Sequence, residues 1–132
     1  MEDAPLTLLL DSVILIDHFN GVAQATDYLS RRRKVAAISV ITRAEVLTGF
    51  DAHGVQLALK LLDAFPTLVI DTPVANLAAQ LRSKHRWKLP DAFQAALAVH
   101  HNLRLVTRNI RDFPPDRHSF VEVPYKRFVK VP

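Results

Sequence analysis

The chain reads as a single α/β domain built on a parallel sheet of four to five strands with helices on both faces. Three observations lead there. Short, continuous apolar runs alternate with longer segments of helical character, the order expected of β-α-β units. The runs lack the apolar–polar alternation of a half-exposed strand, so they read as strands covered on both faces. The length of 132 residues, 49% hydrophobic and 23% charged, is one domain's worth of chain and supports a packed core. No boundary, repeat or low-complexity segment interrupts it, so residues 1–132 are taken as one domain.

Each element has its own signal. Residues 6–10 (Leu-Thr-Leu-Leu-Leu) are the first apolar run. Asp11 and Ser12 follow with side chains suited to capping a helix over 13–19. A second helix covers 25–33 and runs into Arg31-Arg32-Arg33-Lys34. Residues 35–39 are the second strand, and a helix over 41–48 stops at Gly49, the residue type favoured just past a helix end. Residues 55–64 form a helix with Leu57, Leu61 and Leu62 on one face, and Pro66 lies beyond its end. Residues 67–70 are the third strand. Pro73 opens a helix through Ala75, Leu77, Ala78 and Leu81, and Pro90 opens an alanine-rich helix to about His101. Residues 104–106 and 120–123 are the fourth and fifth strands, followed by a basic tail over 125–132.

Composition removes several chemistries. The chain has no cysteine, which excludes disulfides, zinc–thiolate sites, iron–sulfur clusters and a cysteine nucleophile. Its three glycines, Gly21, Gly49 and Gly54, cannot build a G-x-G-x-x-G turn or a P-loop. No serine lies in G-x-S-x-G, and His100-His101 are adjacent rather than four apart, so neither a serine hydrolase nor a helical histidine metal pair is supported. Glu2 and Asp3 precede the first apolar run, and Asp11 and Asp17 break it, which is not the pattern of a signal peptide or a membrane span. The expectation is a soluble, cytoplasmic protein without a membrane partner. Net charge is +4, unevenly spread: residues 1–66 carry 6 Lys/Arg against 8 Asp/Glu, and residues 67–132 carry 11 against 5. Such a basic half suits either a polyanionic partner or a solvated basic face.

In an open parallel sheet, ligands bind beyond the carboxyl ends of the strands. Asp11 directly follows the first strand. Glu45 lies in the helix after the second, on the edge of its apolar stripe. Asp91 sits in the first turn of the Pro90 helix, and Asp112 follows the fourth strand. Each also has an ordinary reading: Asp11 as a helix cap, Asp91 as an acid at a helix N-terminus, Glu45 as an exposed helical residue, Asp112 as a turn residue before Phe113-Pro114-Pro115. Together they are harder to dismiss, since Glu45 is the only glutamate between Glu2 and Glu122. Four carboxylates in one pocket repel unless a cation sits among them. An oxygen-only donor set suits a hard ion such as Mg²⁺, with Mn²⁺ as substitute.

Taken in order, Leu10-Asp11-Ser12, Thr42-Arg43-Ala44-Glu45, Leu89-Pro90-Asp91-Ala92 and Thr107-Arg108-Asn109-Ile110-Arg111-Asp112-Phe113 span nearly the whole chain. This ordered set resembles the PIN-domain nucleases, and among them the VapC toxins of bacterial and archaeal toxin–antitoxin pairs. Two positions depart from the pattern. Ser12-Val13 stands where Thr-Asn is frequent, and Gln94 stands where an aliphatic is usual. The resemblance implies a PIN-like fold, metal-dependent hydrolysis of RNA by an endoribonuclease, a cognate antitoxin and a homodimer. It implies Asp11 and Asp91 as direct metal ligands, with Glu45 and Asp112 completing the site directly or through water. Ser12, Thr107 and Asn109 would be supporting groups that orient water or phosphate. The candidate cations for RNA are Arg43, Lys84, Arg86, Lys88, Arg108 and Arg111, beside His85. Trp87, within the basic run, suits either base stacking or core packing. The helices over 13–19 and 55–64 carry more aliphatic surface than a small domain must bury, which suits interfaces. The rivals are a non-catalytic PIN-like interaction or RNA-binding module, in which the acids are only caps, and a phosphoacceptor or phosphatase domain. The second lacks paired acids at the first strand and a phosphate-contacting lysine after the last.

Overall fold

The structure, a computed structural model, describes residues 5–126. Glu2, Asp3 and most of the expected basic tail, from residue 127 on, lie outside the described residues. The elements follow the expected order: β1 (Leu8–Leu10), α1 (Ser12–Phe19), α2 (Ala23–Arg32), β2 (Ala36–Ser39), α3 (Val40–Thr48), α4 (Val55–Leu62), β3 (Thr67–Leu68), α5 (Thr72–His85), α6 (Leu89–His100), β4 (Arg104–Val106) and β5 (Val121–Glu122). A short 3₁₀ turn, Arg33–Val35, joins α2 to β2.

The five strands form one sheet in the order β3-β2-β1-β4-β5, every pair parallel. β1 lies at the centre, with Leu8 beside Ala36 on one flank and Arg104 on the other. Successive side chains of a strand point to opposite faces, and the two cores follow this rule. Leu9, Ala37 and Leu105 join a core with Val74 and Ala78 of α5 and the alanines of α6. Leu8, Leu10, Ala36, Ile38 and Val106 join a second core with Ile14, Leu15, Tyr28, Val46 and Leu62 from α1 to α4. Helices therefore cover both faces, which is why the strands read as unbroken apolar runs.

The differences from expectation are at element ends. Four of the strands are shorter, with β3 and β5 two residues each, while β4 has the expected bounds. α5 runs past Leu81 to His85, carrying the basic segment in its last turn, where cations suit the helix dipole. Gly49 ends α3 with an ordinary φ of −81°, so that end does not use the left-handed freedom of glycine. Gly21 does: at φ +80° it makes the tight turn between α1 and α2.

Candidate active site

The site is built at the carboxyl ends of the central strands. Asp11 follows β1 in extended backbone and caps α1, its Oδ1 accepting from the Ser12 N–H at 2.9 Å. The expected cap is thus present, and the same carboxylate lies within reach of the Glu45 charge. Asp11 is only 8% exposed. Its Oδ2 accepts from Thr107 Oγ1 at 2.7 Å, and its Oδ1 also accepts from Gln94 Nε2 at 3.3 Å. Burial is the largest influence on it and pushes its carboxyl up, against the hydrogen bonds of Thr107, Ser12 and Gln94, with Glu45 adding to the rise.

Ser12 donates its hydroxyl to Glu45 Oε1 at 2.5 Å, tying the exposed glutamate of α3 to the start of α1. Asn109 donates from Nδ2 to Asp112 Oδ2 at 2.9 Å, and the Asn109 N–H donates to Thr107 Oγ1 at 3.0 Å. Asp91 occupies the first turn of α6, half-buried. Its carboxyl is pushed up to about 6, first by burial, then by the negative charges of Asp11, Asp112 and Glu45, with Lys88 opposing weakly. The other three acids named from the sequence therefore lie within reach of the Asp91 carboxyl, and Glu45 within reach of Asp11. Among the described residues, no three Asp, Glu, His or Cys side chains stand close enough to clasp an ion as they are arranged.

Gln94 is the residue whose role the sequence did not disclose. It is 1% exposed, one turn beyond Asp91. Its Oε1 accepts from Ser39 Oγ at 2.7 Å, and its Nε2 donates to Thr42 Oγ1 at 2.7 Å as well as to Asp11. Ser39 also caps α3 through the Thr42 N–H, and Thr42 Oγ1 donates to the Leu10 carbonyl at 3.3 Å. Among the described residues no buried side-chain polar atom lacks a partner. A satisfied network of this kind specifies one arrangement of Asp11. The signal available beforehand was the polar residue standing where an aliphatic is usual.

The cations divide into two groups. Arg108 is placed differently from expectation: its guanidinium grips Asp17, 1% exposed, with Nε–Oδ2 at 2.6 Å and Nη2–Oδ1 at 2.9 Å. Tyr125 also donates to Asp17 Oδ2. A buried carboxylate needs this pairing, so Asp17 and Arg108 answer each other. Arg43 is paired with Asp63 at 2.7 Å. Lys84 and Lys88 are exposed, and Arg86 and Arg111 line a cleft with Asp112. Trp87 is buried against Phe113 and donates from Nε1 to the Asp112 carbonyl at 2.7 Å, so it packs and steadies the acid loop.

Fold and site together describe a parallel α/β domain with four interacting carboxylates at the strand ends. The PIN domain family profile matches residues 8–114, and the chain belongs to the PIN-domain family. Ribonuclease VapC10 of Mycobacterium tuberculosis is 34% identical over 114 residues, covering 81% of this chain and 86% of that protein. A chain of a toxin–antitoxin complex from Klebsiella pneumoniae superposes with a TM-score of 0.85 at 36% identity, over 92% of this chain and all of the other. A chain of the DNA-bound VapBC of Salmonella typhimurium shares the fold, with a TM-score of 0.73 at 21% identity over 83% of this chain and 91% of its own.

Proposed function

We propose that the protein is a Mg²⁺-dependent endoribonuclease, the VapC-like toxin of a toxin–antitoxin pair, acting in the cytoplasm. The observation that carries this reading is the gathering of acids at the strand ends: Asp11 directly after β1, Glu45 tied to it through Ser12, and Asp91 in the first turn of α6, where it feels Asp11, Asp112 and Glu45 together. The negative charges of its neighbours raise Asp91, a cost that a bound cation would remove. The relative named ribonuclease, at 34% identity, and the chain of a toxin–antitoxin complex, at 36%, support the same reading.

The donor set fits a hard divalent ion: four carboxylates, no thiol and no imidazole among them. Asp11 and Asp91 would hold it, with Glu45 and Asp112 completing the set, after side-chain movement from the arrangement above. A bound Mg²⁺ supplies positive charge that acidifies water and offsets the charge developing on the phosphoryl oxygens. The chain's own groups do the rest. Thr107 and Gln94 hold Asp11 in one orientation, Ser12 holds Glu45, and Asn109 holds Asp112. Asp91, near 6, can hold a proton in the metal-free state and release it when a cation binds.

An antitoxin and a second copy of the chain are the proposed partners. Leu57 at 67% exposed and Ile16 at 40% are apolar surface that a partner would cover. The test is catalysis. Asp91→Asn keeps size and removes charge, so the fold survives while Mg²⁺-dependent RNA cleavage falls by orders of magnitude, and EDTA abolishes wild-type cleavage. A folded mutant that cuts RNA at the wild-type rate would overturn the reading.

A further inference from the structure

The carboxylates that would act on RNA also repel it, so the strand needs a second point of attachment. A cleft of about 430 Å³ adjoins the acid cluster at Asp112. Arg86, Arg111, Arg117, His85 and His118 line it, and Asp112 is the only carboxylate in its wall. Its floor is aromatic: His85 stacks on Trp87 with ring centroids 4.4 Å apart, and His118 lies 5.1 Å from the same ring. Among the described residues, the arginine ion pairs are Arg31–Asp27, Arg43–Asp63, Arg104–Glu122 and Arg108–Asp17, so the three arginines of the cleft keep their charge for something else. His118 is held below its ordinary range by burial first, then by the charges of His85 and Arg117, with Asp116 opposing.

A second observation is independent of charge. Arg86 ends α5 in the left-handed region, at φ 59° and ψ 30°. Glycine or asparagine is the usual residue there, because a side chain is strained by it. A strained position that carries an arginine at the mouth of a cleft points to use rather than packing.

We infer that this cleft is a phosphate subsite, holding a phosphodiester of single-stranded RNA beside the bond to be cut. Arg111 and Arg117 grip the phosphate oxygens, as guanidinium forks do, and the turn at the end of α5 holds Arg86 beside them. The inference rests on the ribonuclease reading, and it adds Arg117 and Arg86's strained turn to the binding machinery.

The test separates binding from cleavage. Anisotropy of a labelled single-stranded RNA is measured in EDTA over a range of salt, for the wild type and the double variant Arg111→Gln with Arg117→Gln. The double variant binds about tenfold more weakly or worse, and its log–log salt slope falls by about 0.7, the share of the one single-strand phosphate left without its arginines. A neutral methylphosphonate, moved along the oligonucleotide, weakens the wild type at one linkage and leaves the double variant unaffected there. Arg86→Gly raises the melting temperature by a few degrees and weakens RNA binding. Wild-type affinity and slope in the double variant, from a protein that still cleaves RNA, overturn the subsite and leave the nuclease reading standing. Wild type that binds through these arginines but leaves RNA intact with Mg²⁺ overturns the nuclease reading and not the subsite. Variants that keep RNA affinity and lose only a protein partner make the cleft a protein contact, and the proposal fails.

Discussion

Asp91 and Gln94 sit one turn apart on α6 and answer opposite demands. Asp91 is at a helix N-terminus, where the dipole favours a negative charge by about 0.3–1 kcal/mol, yet its carboxyl is raised to about 6. Burial and the three neighbouring acids outweigh the dipole. The folded state therefore binds more protons than the unfolded state between about pH 4 and 6, so stability falls as pH rises through that window and is flat above it. With half of Asp91 open to solvent, the loss is of order 1 kcal/mol after screening. Asp91→Asn should flatten the fall in metal-free urea melts taken from pH 4 to 8. Gln94 works the other way, joining Ser39, Thr42 and Asp11. Gln94→Leu leaves those groups short of partners at a cost of roughly 1–3 kcal/mol. If its role is positioning, kcat for RNA falls while KM holds, and Gln94→Glu does not restore it. The acids could be picked out from the sequence because a parallel sheet dictates where strand ends lie. The role of Gln94 could not, since its partners stand 52 to 83 positions away.

Helix starts were the most readable elements, because their signals are local. Asp71 caps α5 by accepting from the Val74 N–H at 3.1 Å, with a proline in the first turn. Asp71→Ala should cost about 1 kcal/mol in urea unfolding and leave RNA cleavage per folded molecule unchanged. α6 opens on Lys88 without a side-chain cap, so its start relies on Pro90 and on packing. Strand ends were the least readable. Whether Leu6 or Ile70 belongs to a ladder depends on the length of the neighbouring strand, which local sequence does not carry. Both side chains still pack on the core beneath α5 and α6. The α5 extension was hidden by its basic last turn, which reads equally as a loop until the dipole is considered.

At the scale of the molecule, the acid cluster is a stability cost that a cation should lift. Mn²⁺ at a hundredfold excess over its Kd should stabilise the chain by about 2.7 kcal/mol. Asp11→Asn and Asp91→Asn should lose most of that gain, and thermal melts with and without Mn²⁺ check it. A wild type indifferent to the metal, together with less stable mutants, would reduce the acids to caps. Charge asymmetry along the chain pointed to the basic half. It did not say which cations are free, because the Arg108 pairing with Asp17 joins opposite halves. The central place of β1 has a consequence in time. The first strand made must wait for its second neighbour, Arg104–Val106, and Asp11 must wait for Thr107. Contacts so distant in sequence form late. During synthesis, then, β1 has an open flank until nearly the whole described chain has left the ribosome, and Asp11 gains its Thr107 partner only at the end. An acid cluster so arranged takes its final form only after the segment carrying Thr107 has been made.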